Sequence, residues 1–303
     1  MIKEKKNLSE SILQRLKNQA KATHRRTDEL LRYYAMERFL YRLSISKHCS
    51  NFFLKGGLML KAWAISDHRP TLDIDLLGKT NNDFNNLKTI IKDICLQEAI
   101  NDGITYETST IDLSEIQVDG EYQGVRILFK AKLDSAKIPM QLDIGFSDVI
   151  FPEPAFITYP VILEFPSPHL QGYTPESVIA EKFEAMMKLG LINTRMKDFY
   201  DIWILQKTLS FNGNSLHNAI QATFSRRQTA LIILPDSISN VFHDDPIHQN
   251  RWKQFLKKIE QEKEVVELSE VISDIKEFLQ PIVEASANSQ AFRQMLSYSK
   301  KCV

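Results

Sequence analysis

The chain has 303 residues, of which 43% are hydrophobic and 25% are charged, values typical of a soluble globular protein with two packed units. Its formal net charge is zero, so no overall field would draw it to nucleic acid or to a membrane surface. No apolar run reaches the ~20 residues of a membrane span, and three scattered cysteines indicate a reducing compartment, so we expect a soluble cytoplasmic protein.

The N-terminal segment is basic and has a helical pattern. Residues 1–61 contain 14 Lys and Arg against 5 Asp and Glu, an excess that a solvated helix surface explains at least as well as a binding face. Apolar spacing predicts helices over residues 9–22 and 30–43. A glycine turn with a short helix then follows at residues 55–63, and a strand is predicted at residues 72–77.

The middle of the chain is predicted to hold one helix and several strands. Apolar spacing indicates the helix at residues 84–99, and strand patterns occur at residues 105–110, 123–133 and 140–146. Five prolines between residues 152 and 168 then predict an extended connector between two units, because proline removes a backbone donor and fixes φ.

The C-terminal part is predicted to be helical. Thr174 followed by Pro175 is typical of a helix start, and Gly190 can end that helix. Further helices are predicted over residues 194–209, 215–225, 250–259 and 266–279, with Pro281 as a stop.

Three aspartates form the strongest candidate site. Strand side chains alternate between faces, so Asp73 and Asp75 should point one way, while Leu72 and Ile74 point the other. Two such carboxylates repel by roughly 4 kcal/mol at about 4 Å and an effective dielectric near 20, which favours a bound cation such as Mg²⁺. Asp143 lies in a later strand pattern, and pairing of the two strands would bring all three carboxylates into one metal pocket.

The glycine pair Gly56-Gly57 precedes a short helix, where backbone N–H groups can approach an anionic triphosphate. Taken alone, a tight turn explains these glycines better. Lys182 lies on or near an apolar helix stripe, either as a charge for a phosphate or as a lysine whose stem covers that stripe. Asp198 could pair with Arg195 three residues earlier, an ordinary helix salt bridge that is an equally good explanation.

Four motifs in order along the chain resemble those of the AbiEii/AbiGii toxin family, nucleotidyltransferases of the polymerase-β-like superfamily that include the MenT toxins. They are Lys55-Gly-Gly-Leu-Met-Leu, Arg69-Pro-Thr-Leu-Asp-Ile-Asp-Leu, Pro175-Glu-Ser-Val-Ile-Ala-Glu-Lys-Phe-Glu-Ala and Arg195-Met-Lys-Asp-Phe-Tyr-Asp. The likeness extends from the first helices to about residue 240. The ordered set is specific, whereas each motif alone is weak.

The resemblance implies an α+β fold, with a mixed-sheet nucleotidyltransferase core and N-terminal helices over residues 1–168 and a helical C-terminal domain over residues 169–303. It also implies a toxin of a toxin–antitoxin, abortive-infection-like system. Such an enzyme uses Mg²⁺, in the superfamily two ions, to add nucleotides from an NTP to an RNA acceptor, the tRNA 3′ end in characterised relatives. The implied partner is a cognate antitoxin encoded nearby.

The family's functional residues match particular positions of this chain. Asp73 and Asp75 match its Asp-x-Asp metal ligands, and Asp143 is the best match to the third carboxylate of the superfamily. The other matches are to the glycine motif, the lysine of the third motif and the acid of the fourth, at Gly56, Gly57, Lys182 and Asp198. Asp143 is expected to help deprotonate the attacking hydroxyl, and Asp198 to orient either Lys182 or the acceptor.

One position departs from the family. Where relatives have a hydroxyl residue after the glycines, this chain has Leu58, which leaves triphosphate binding to backbone amides and to Lys55, Arg69 or Lys182. Two alternatives therefore stay open. The chain could be a catalytically silent module that binds nucleotide, RNA or a protein, or it could transfer a phosphate-containing group to a protein or small molecule.

Overall fold

The computed structural model describes residues 2–65, 70–118, 122–233, 235–259, 266–287 and 295–296. It divides into two compact units. The sheet unit comprises residues 1–64, 70–147 and 155–172. The helical unit comprises residues 65–69, 148–154 and 173–303. Of the helices in the described ranges, none is long and apolar enough to cross a membrane.

The sheet unit begins with two long helices and continues as a sheet with two further helices. Its helices are α1 (Ile2–Ala22), α2 (Thr27–Ile45), α3 (Gly57–Ala62) and α4 (Phe84–Leu96). Its strands are β1 (Phe52–Lys55), β2 (Ile74–Gly78), β3 (Ile104–Val118), β4 (Tyr122–Leu133), β5 (Ala136–Gly145), β6 (Ala155–Thr158) and β7 (His169–Gly172).

The sheet is mixed, as expected, with seven strands in the order β3-β4-β5-β2-β1-β7-β6 within the described residues. The pairs β2–β5 and β1–β7 are parallel, and the remaining neighbours are antiparallel. The central position of β2 decides the candidate site, because it pairs with β1 on one side and with β5 on the other. The glycine turn after β1 and the aspartates of β2 and β5 therefore meet at neighbouring strands.

Helix α2 supplies much of the core of the sheet unit. Phe39 packs against Tyr106 of β3 and Phe129 of β4, with ring centroids 5.8 and 5.6 Å apart. Burial of such rings stabilises the fold by about 1.5–3 kcal/mol each. Arg42 is also buried and donates two hydrogen bonds, of 2.7 and 2.9 Å, to the carboxylate of Asp102, so its charge is paired inside the core.

The helical unit consists mainly of α-helices. They are α5 (Pro175–Leu189), α6 (Met196–Thr208), α7 (Gly213–Arg227), α8 (Asn240–Asp244), α9 (Pro246–Lys258) and α10 (Leu268–Ala287), and β8 (Phe211–Asn212) pairs with β9 (Met295–Leu296). The predicted start and end of α5 are confirmed. Thr174 caps its first turn by accepting from the Ser177 N–H, and Gly190 ends it with φ of 49°.

Several predicted boundaries were wrong. Proline-rich residues 152–168 were expected to be an extended connector between two units. Part of the region is extended as expected, in β6, but residues 155–168 belong to the sheet unit and do not link the two units. Residues 52–55 form β1, which the apolar pattern did not reveal. Strand β3 has 15 residues rather than the six expected at 105–110. Pro281 lies inside α10 instead of ending it, so packing of this amphipathic helix outweighs the lost hydrogen bond.

Candidate functional site

The three predicted aspartates converge in the sheet unit. Asp75 of β2 lies opposite Asp143 of β5 in the parallel register, so their side chains share a face of the sheet. One carboxylate oxygen of each of Asp73, Asp75 and Asp143 lies within 4.8 Å of the others, and all three residues are half-buried. The proposed strand pairing is therefore present, and it forms an acidic cluster.

Asp73 reaches the cluster from just outside the strand, because β2 begins at Ile74 rather than at Leu72. The Thr71 hydroxyl donates a 2.7 Å hydrogen bond to Asp73 Oδ1, and the Thr71 backbone N–H donates to the Tyr33 hydroxyl at 2.9 Å. Alternation predicted that Leu72 would lie on the apolar face with Ile74, but Leu72 is 54% exposed. Side-chain and backbone hydrogen bonds, rather than the sheet ladder, hold the segment that positions Asp73.

The donor set suits a hard divalent cation. Mg²⁺ binds oxygen ligands at about 2.0–2.1 Å, so two oxygens on opposite sides of one ion lie about 4.2 Å apart. The 4.8 Å limit between the aspartate oxygens is close to that span and also suits oxygens that share a pair of ions about 3.5–4 Å apart. Asp73, Asp75 and Asp143 are the residues that would hold the metal.

Gly56 is required by the position of Asp75. It has φ of 69°, a left-handed conformation that favours glycine, and a Cβ at this position would lie 1.9 Å from Asp75 Oδ2. The turn between β1 and α3 therefore lies directly against a carboxylate of the cluster. Gly57 begins α3, a helix of six residues. Leu58 is 1% exposed and packs in the hydrophobic core, so core packing explains the apolar residue at this position.

Arg126 completes the cluster, and the sequence pattern did not single it out. It lies opposite Asp143 in the antiparallel β4–β5 register. Its Nε donates to Asp143 Oδ1 at 2.8 Å and its second guanidinium nitrogen donates to Oδ2 at 2.7 Å, while Gln141 Nε2 also donates to Oδ2 at 3.1 Å. Each carboxylate oxygen has two lone pairs, so Asp143 can still offer one to a cation.

The electrostatics of Arg126 reflect all three carboxylates. Its hydrogen bonds to Asp143 raise the pKa of its guanidinium above the ordinary value; burial opposes this increase, and the charges of Asp143, Asp73 and Asp75 add to it by smaller amounts. The residue was overlooked because it occupies a polar position of an alternating strand, which usually indicates solvent exposure. Only the pairing register of the β4–β5 hairpin identifies its partner.

The helical unit brings Lys182 and Asp198 together. Lys182 Nζ on α5 lies 2.7 Å from Asp198 Oδ1 and 2.8 Å from Asp201 Oδ2, both on α6. Arg195 Nε lies 2.5 Å from Asp198 Oδ2. Burial tends to raise the pKa of Asp198, but the charges of Lys182 and Arg195 outweigh it and hold that pKa below its ordinary value. The expected Arg195–Asp198 pair is present, as part of a larger ionic cluster.

A second buried ionic group in the helical unit was not anticipated. Arg227 of α7 lies 2.8 Å from Asp148 and 2.8 Å from Glu184 of α5, and all three side chains are at most 5% exposed. These contacts indicate a role in joining α5, α7 and the segment at residues 148–154 within the unit.

Two predicted cations for the triphosphate remain. Lys55 lies at the end of β1, opposite Asp75 in the antiparallel register, so it is close to the acidic cluster in the sheet. Arg69, the other expected nucleotide-binding residue, lies outside the described residues.

Comparisons with known proteins match most of the chain. A family model described as "Nucleotidyl transferase AbiEii toxin, Type IV TA system" matches residues 38–288. The crystal structure of JHP933 from Helicobacter pylori is 16% identical, with 86% of this chain and 95% of that chain covered and a TM-score of 0.49. A second crystal structure from H. pylori is also 16% identical, with 86% and 97% covered and a TM-score of 0.49. No curated protein matches.

Proposed function

The chain belongs to the AbiEii family of nucleotidyl transferase toxins from type IV toxin–antitoxin systems, and we propose that it transfers a nucleotide from an NTP to an RNA acceptor, the tRNA 3′ end, with Mg²⁺ as cofactor. The family membership makes the chain a nucleotidyltransferase. The metal, the RNA acceptor and the roles of individual residues are the proposal.

The acidic cluster carries this proposal. Asp73, Asp75 and Asp143 come from two neighbouring strands and present oxygens within 4.8 Å of one another, beside a glycine turn that packs on Asp75. Divalent ions held there would neutralise the phosphate charge and stabilise the attacking and leaving oxygens. A sheet face that only faced solvent would have no need to hold three carboxylates this close against their repulsion.

The reaction forms one bond and breaks another. The oxygen of the acceptor hydroxyl bonds to the α-phosphorus of the NTP, and the bond from that phosphorus to the oxygen bridging to the β-phosphate breaks. Pyrophosphate leaves with the electron pair. The hydroxyl proton passes to water, and Asp143 helps this step through the cation that its one remaining lone pair would hold, because such a cation would lower the pKa of the hydroxyl. The two hydrogen bonds from Arg126 hold the carboxylate in a fixed orientation.

The remaining residues bind the triphosphate in this proposal. Backbone N–H groups of Gly56 and Gly57 approach the phosphates, and Lys55 and Arg69 supply positive charge. Lys182 contacts the triphosphate and Asp198 orients its ammonium, a role that rests on the family motif. The 2.7 Å contact between Lys182 and Asp198 supports the orienting role of Asp198 over direct contact with the acceptor.

The family description also bears on partners. A type IV toxin–antitoxin system pairs the toxin with an antitoxin, and we propose that this antitoxin is encoded next to the gene for this chain. The alternative of a silent binding module loses its main support, because Leu58 is accounted for by core packing. Isothermal titration separates the two: nucleotide binding without transfer to any acceptor would identify the silent module.

The direct test is incubation of the purified protein with each labelled NTP, Mg²⁺ and bulk tRNA. We expect label in the tRNA from at least one NTP. Asp73→Asn and Asp75→Asn should each lower the rate of transfer by about 10²-fold or more, because each removes a charge that holds the metal. The matched control is Asp112→Asn, the same change at an exposed position on the edge strand β3.

Two results would contradict the proposal. One is the absence of label transfer from every NTP, together with harmless expression of the wild-type chain. The other is transfer that proceeds equally well after Asp75→Asn, or in the presence of a chelator of divalent ions. Transfer of label to a protein or small molecule in place of RNA would support nucleotide transfer but contradict the proposed RNA acceptor.

A further inference from the structure

The helical unit has a groove whose lining is cationic. It lies between the N-terminal turn of α6 and one face of α9 and has a volume of about 510 Å³. Half of its lining residues are cations and none is an acid; they are Thr194, Arg195, Met196, Lys197, Arg251, Gln254, Phe255 and Lys258. In a chain of zero formal net charge, such a concentration of one sign calls for an explanation.

Helix α9 supplies two of the four cations that line the groove, Arg251 and Lys258. Its 13 residues include four Lys and Arg and no Asp or Glu, whereas an ordinary solvated helix mixes both signs. The groove residues Arg251, Gln254, Phe255 and Lys258 recur at helical spacing and share one face, while Trp252 and Leu256 are buried in the core. Lysines at the last turn also suit the helix dipole, but Arg251 in the middle of the helix has no such reason.

Helix α6 places cations where its own dipole opposes them. Lys197 lies in the first turn of α6, where partial positive charge from the backbone makes a cation unfavourable. The carboxylate of Asp198 offsets part of that cost, and it is already engaged with Lys182 and Arg195. A cation at the positive end of a helix dipole is expected where a bound anionic ligand compensates for the repulsion.

An apolar ring lies among these cations. Phe255 is half-buried in the groove and is braced by Tyr200 and Trp252, with ring centroids 5.6 Å away in both cases. A braced aromatic ring flanked by cations suits a nucleic acid strand, since bases stack on the ring and phosphates pair with the charges. An acidic protein segment would use the charges but would leave the ring without a partner.

We propose that this groove docks the RNA acceptor, an inference that rests on the proposed function and assigns its RNA to a surface. Arg251 and Lys258 are seven residues apart, about 10.5 Å along the helix, so they can contact different phosphates of one strand on either side of Phe255. Lys197, Arg251 and Lys258 bind the phosphates of the strand, and Phe255 stacks on a base.

The test measures binding of a labelled single-stranded RNA and of bulk tRNA by fluorescence anisotropy at roughly 50 to 200 mM salt. The variant is the triple change Lys197→Gln, Arg251→Gln and Lys258→Gln. Each lost phosphate contact lowers the slope of log K against log salt by about 0.7, so we expect a drop of about 2 and a loss of about a hundredfold in affinity at 0.1 M salt. Phe255→Leu should weaken binding by about tenfold without changing the slope.

The matched control is Lys188→Gln, Arg226→Gln and Lys276→Gln, the same charge change on other helices of the same unit. An equal loss in this control would overturn the proposal, as would an unchanged slope in the groove variant or equal displacement of the RNA by polyglutamate. The outcome is separable from the proposed function. If RNA binding depends on the groove but no label is transferred, the docking site is supported and the proposed transfer to RNA is contradicted. If the groove variant binds RNA as tightly as wild type and still transfers label, the transfer is supported and the docking site is contradicted.

Discussion

The acidic cluster of the sheet unit and the ionic cluster of the helical unit use the same residue types in opposite ways. Asp73, Asp75 and Asp143 are half-buried and lie close together with their oxygens facing one another. Asp198 and Asp201 are at most 1% exposed, and each lies within 2.8 Å of the Lys182 ammonium. The first cluster gathers three carboxylates beside one arginine and favours an added cation, whereas the second encloses a lysine between two carboxylates and holds two helices together.

The contrast separates two roles of charged residues, binding of a ligand and stabilisation of the fold, which the sequence motifs alone do not distinguish. Carboxylates that repel one another cost stability and can be retained for binding. Carboxylates paired in the interior are required for stability once their partner is buried, since removing one leaves the other charge uncompensated. Substitutions in the two clusters should therefore have opposite consequences for folding and for metal binding.

The largest effect is expected at Asp198. Asp198→Ala should lower the free energy of unfolding by about 3–5 kcal/mol, because it leaves the Lys182 ammonium, on a side chain that is only 13% exposed, with one carboxylate fewer. Urea denaturation of Asp198→Ala and of wild type measures this loss of stability. The exposed Glu277→Ala on α10 is the control and should change stability by less than about 0.5 kcal/mol. A variant as stable as wild type would show that the cluster is not structural.

The same pair has a predictable pH dependence. The pKa of Asp198 in the folded state lies below its ordinary value of 3.8, so the stabilisation is present above that value and is lost as the pH falls below it. Stability curves of the wild type and Asp198→Ala should therefore converge as the pH is lowered below about 4. Parallel curves across that range would contradict the assignment.

Gly56→Ala should destabilise the sheet unit by about 3 kcal/mol and abolish metal-induced stabilisation, since its new Cβ would displace the Asp75 carboxylate. Gly190→Ala is a close control. Gly190 also has a positive φ, of 49°, but nothing lies within 4 Å of a Cβ built there. The difference between the two variants in thermal unfolding isolates the clash with Asp75, and equal effects would indicate backbone strain alone.

Asp75→Asn should leave the metal-free protein at least as stable as wild type, because it relieves repulsion within the cluster. Its expected defect appears only with metal. Wild type at about a hundred times the Kd of Mn²⁺ should gain about 2.7 kcal/mol, a gain that the variant should lose. Thermal unfolding with and without Mn²⁺ measures both quantities. Strong destabilisation of the metal-free variant would mean that Asp75 is structural, like Asp198.

Arg126→Gln is expected to have the smallest effect. It removes a positive charge beside the cluster, so Mn²⁺ should bind more tightly by about 1 kcal/mol, roughly fivefold. Titration calorimetry of the metal-free protein measures the change, with Arg126→Lys as the variant that retains the charge without the paired geometry. Weaker binding in Arg126→Gln would mean that orientation of Asp143 matters more to the metal than its neutralisation.

Local patterns in the sequence determined a large part of this molecule. Alternation placed Asp75 on the face opposite Ile74 and Leu76, the cap at Thr174 marked the start of α5, and the order of four motifs indicated the family. These features depend on residues a few positions apart, so the periodicity of a strand or helix encodes them. The strands β1, β6 and β7 are four residues each and too short for that signal.

Only the tertiary structure determined which side chains from distant segments form pairs. Asp201 of α6 lies 2.8 Å from Lys182 on another helix, a contact that no spacing along the chain indicates. Arg126 meets Asp143 through strand register, and the groove of α6 and α9 forms only when the two helices pack. Sequence spacing states which face a side chain occupies. The partner of that face comes from distant segments, whose register and packing are set by the burial of the whole core.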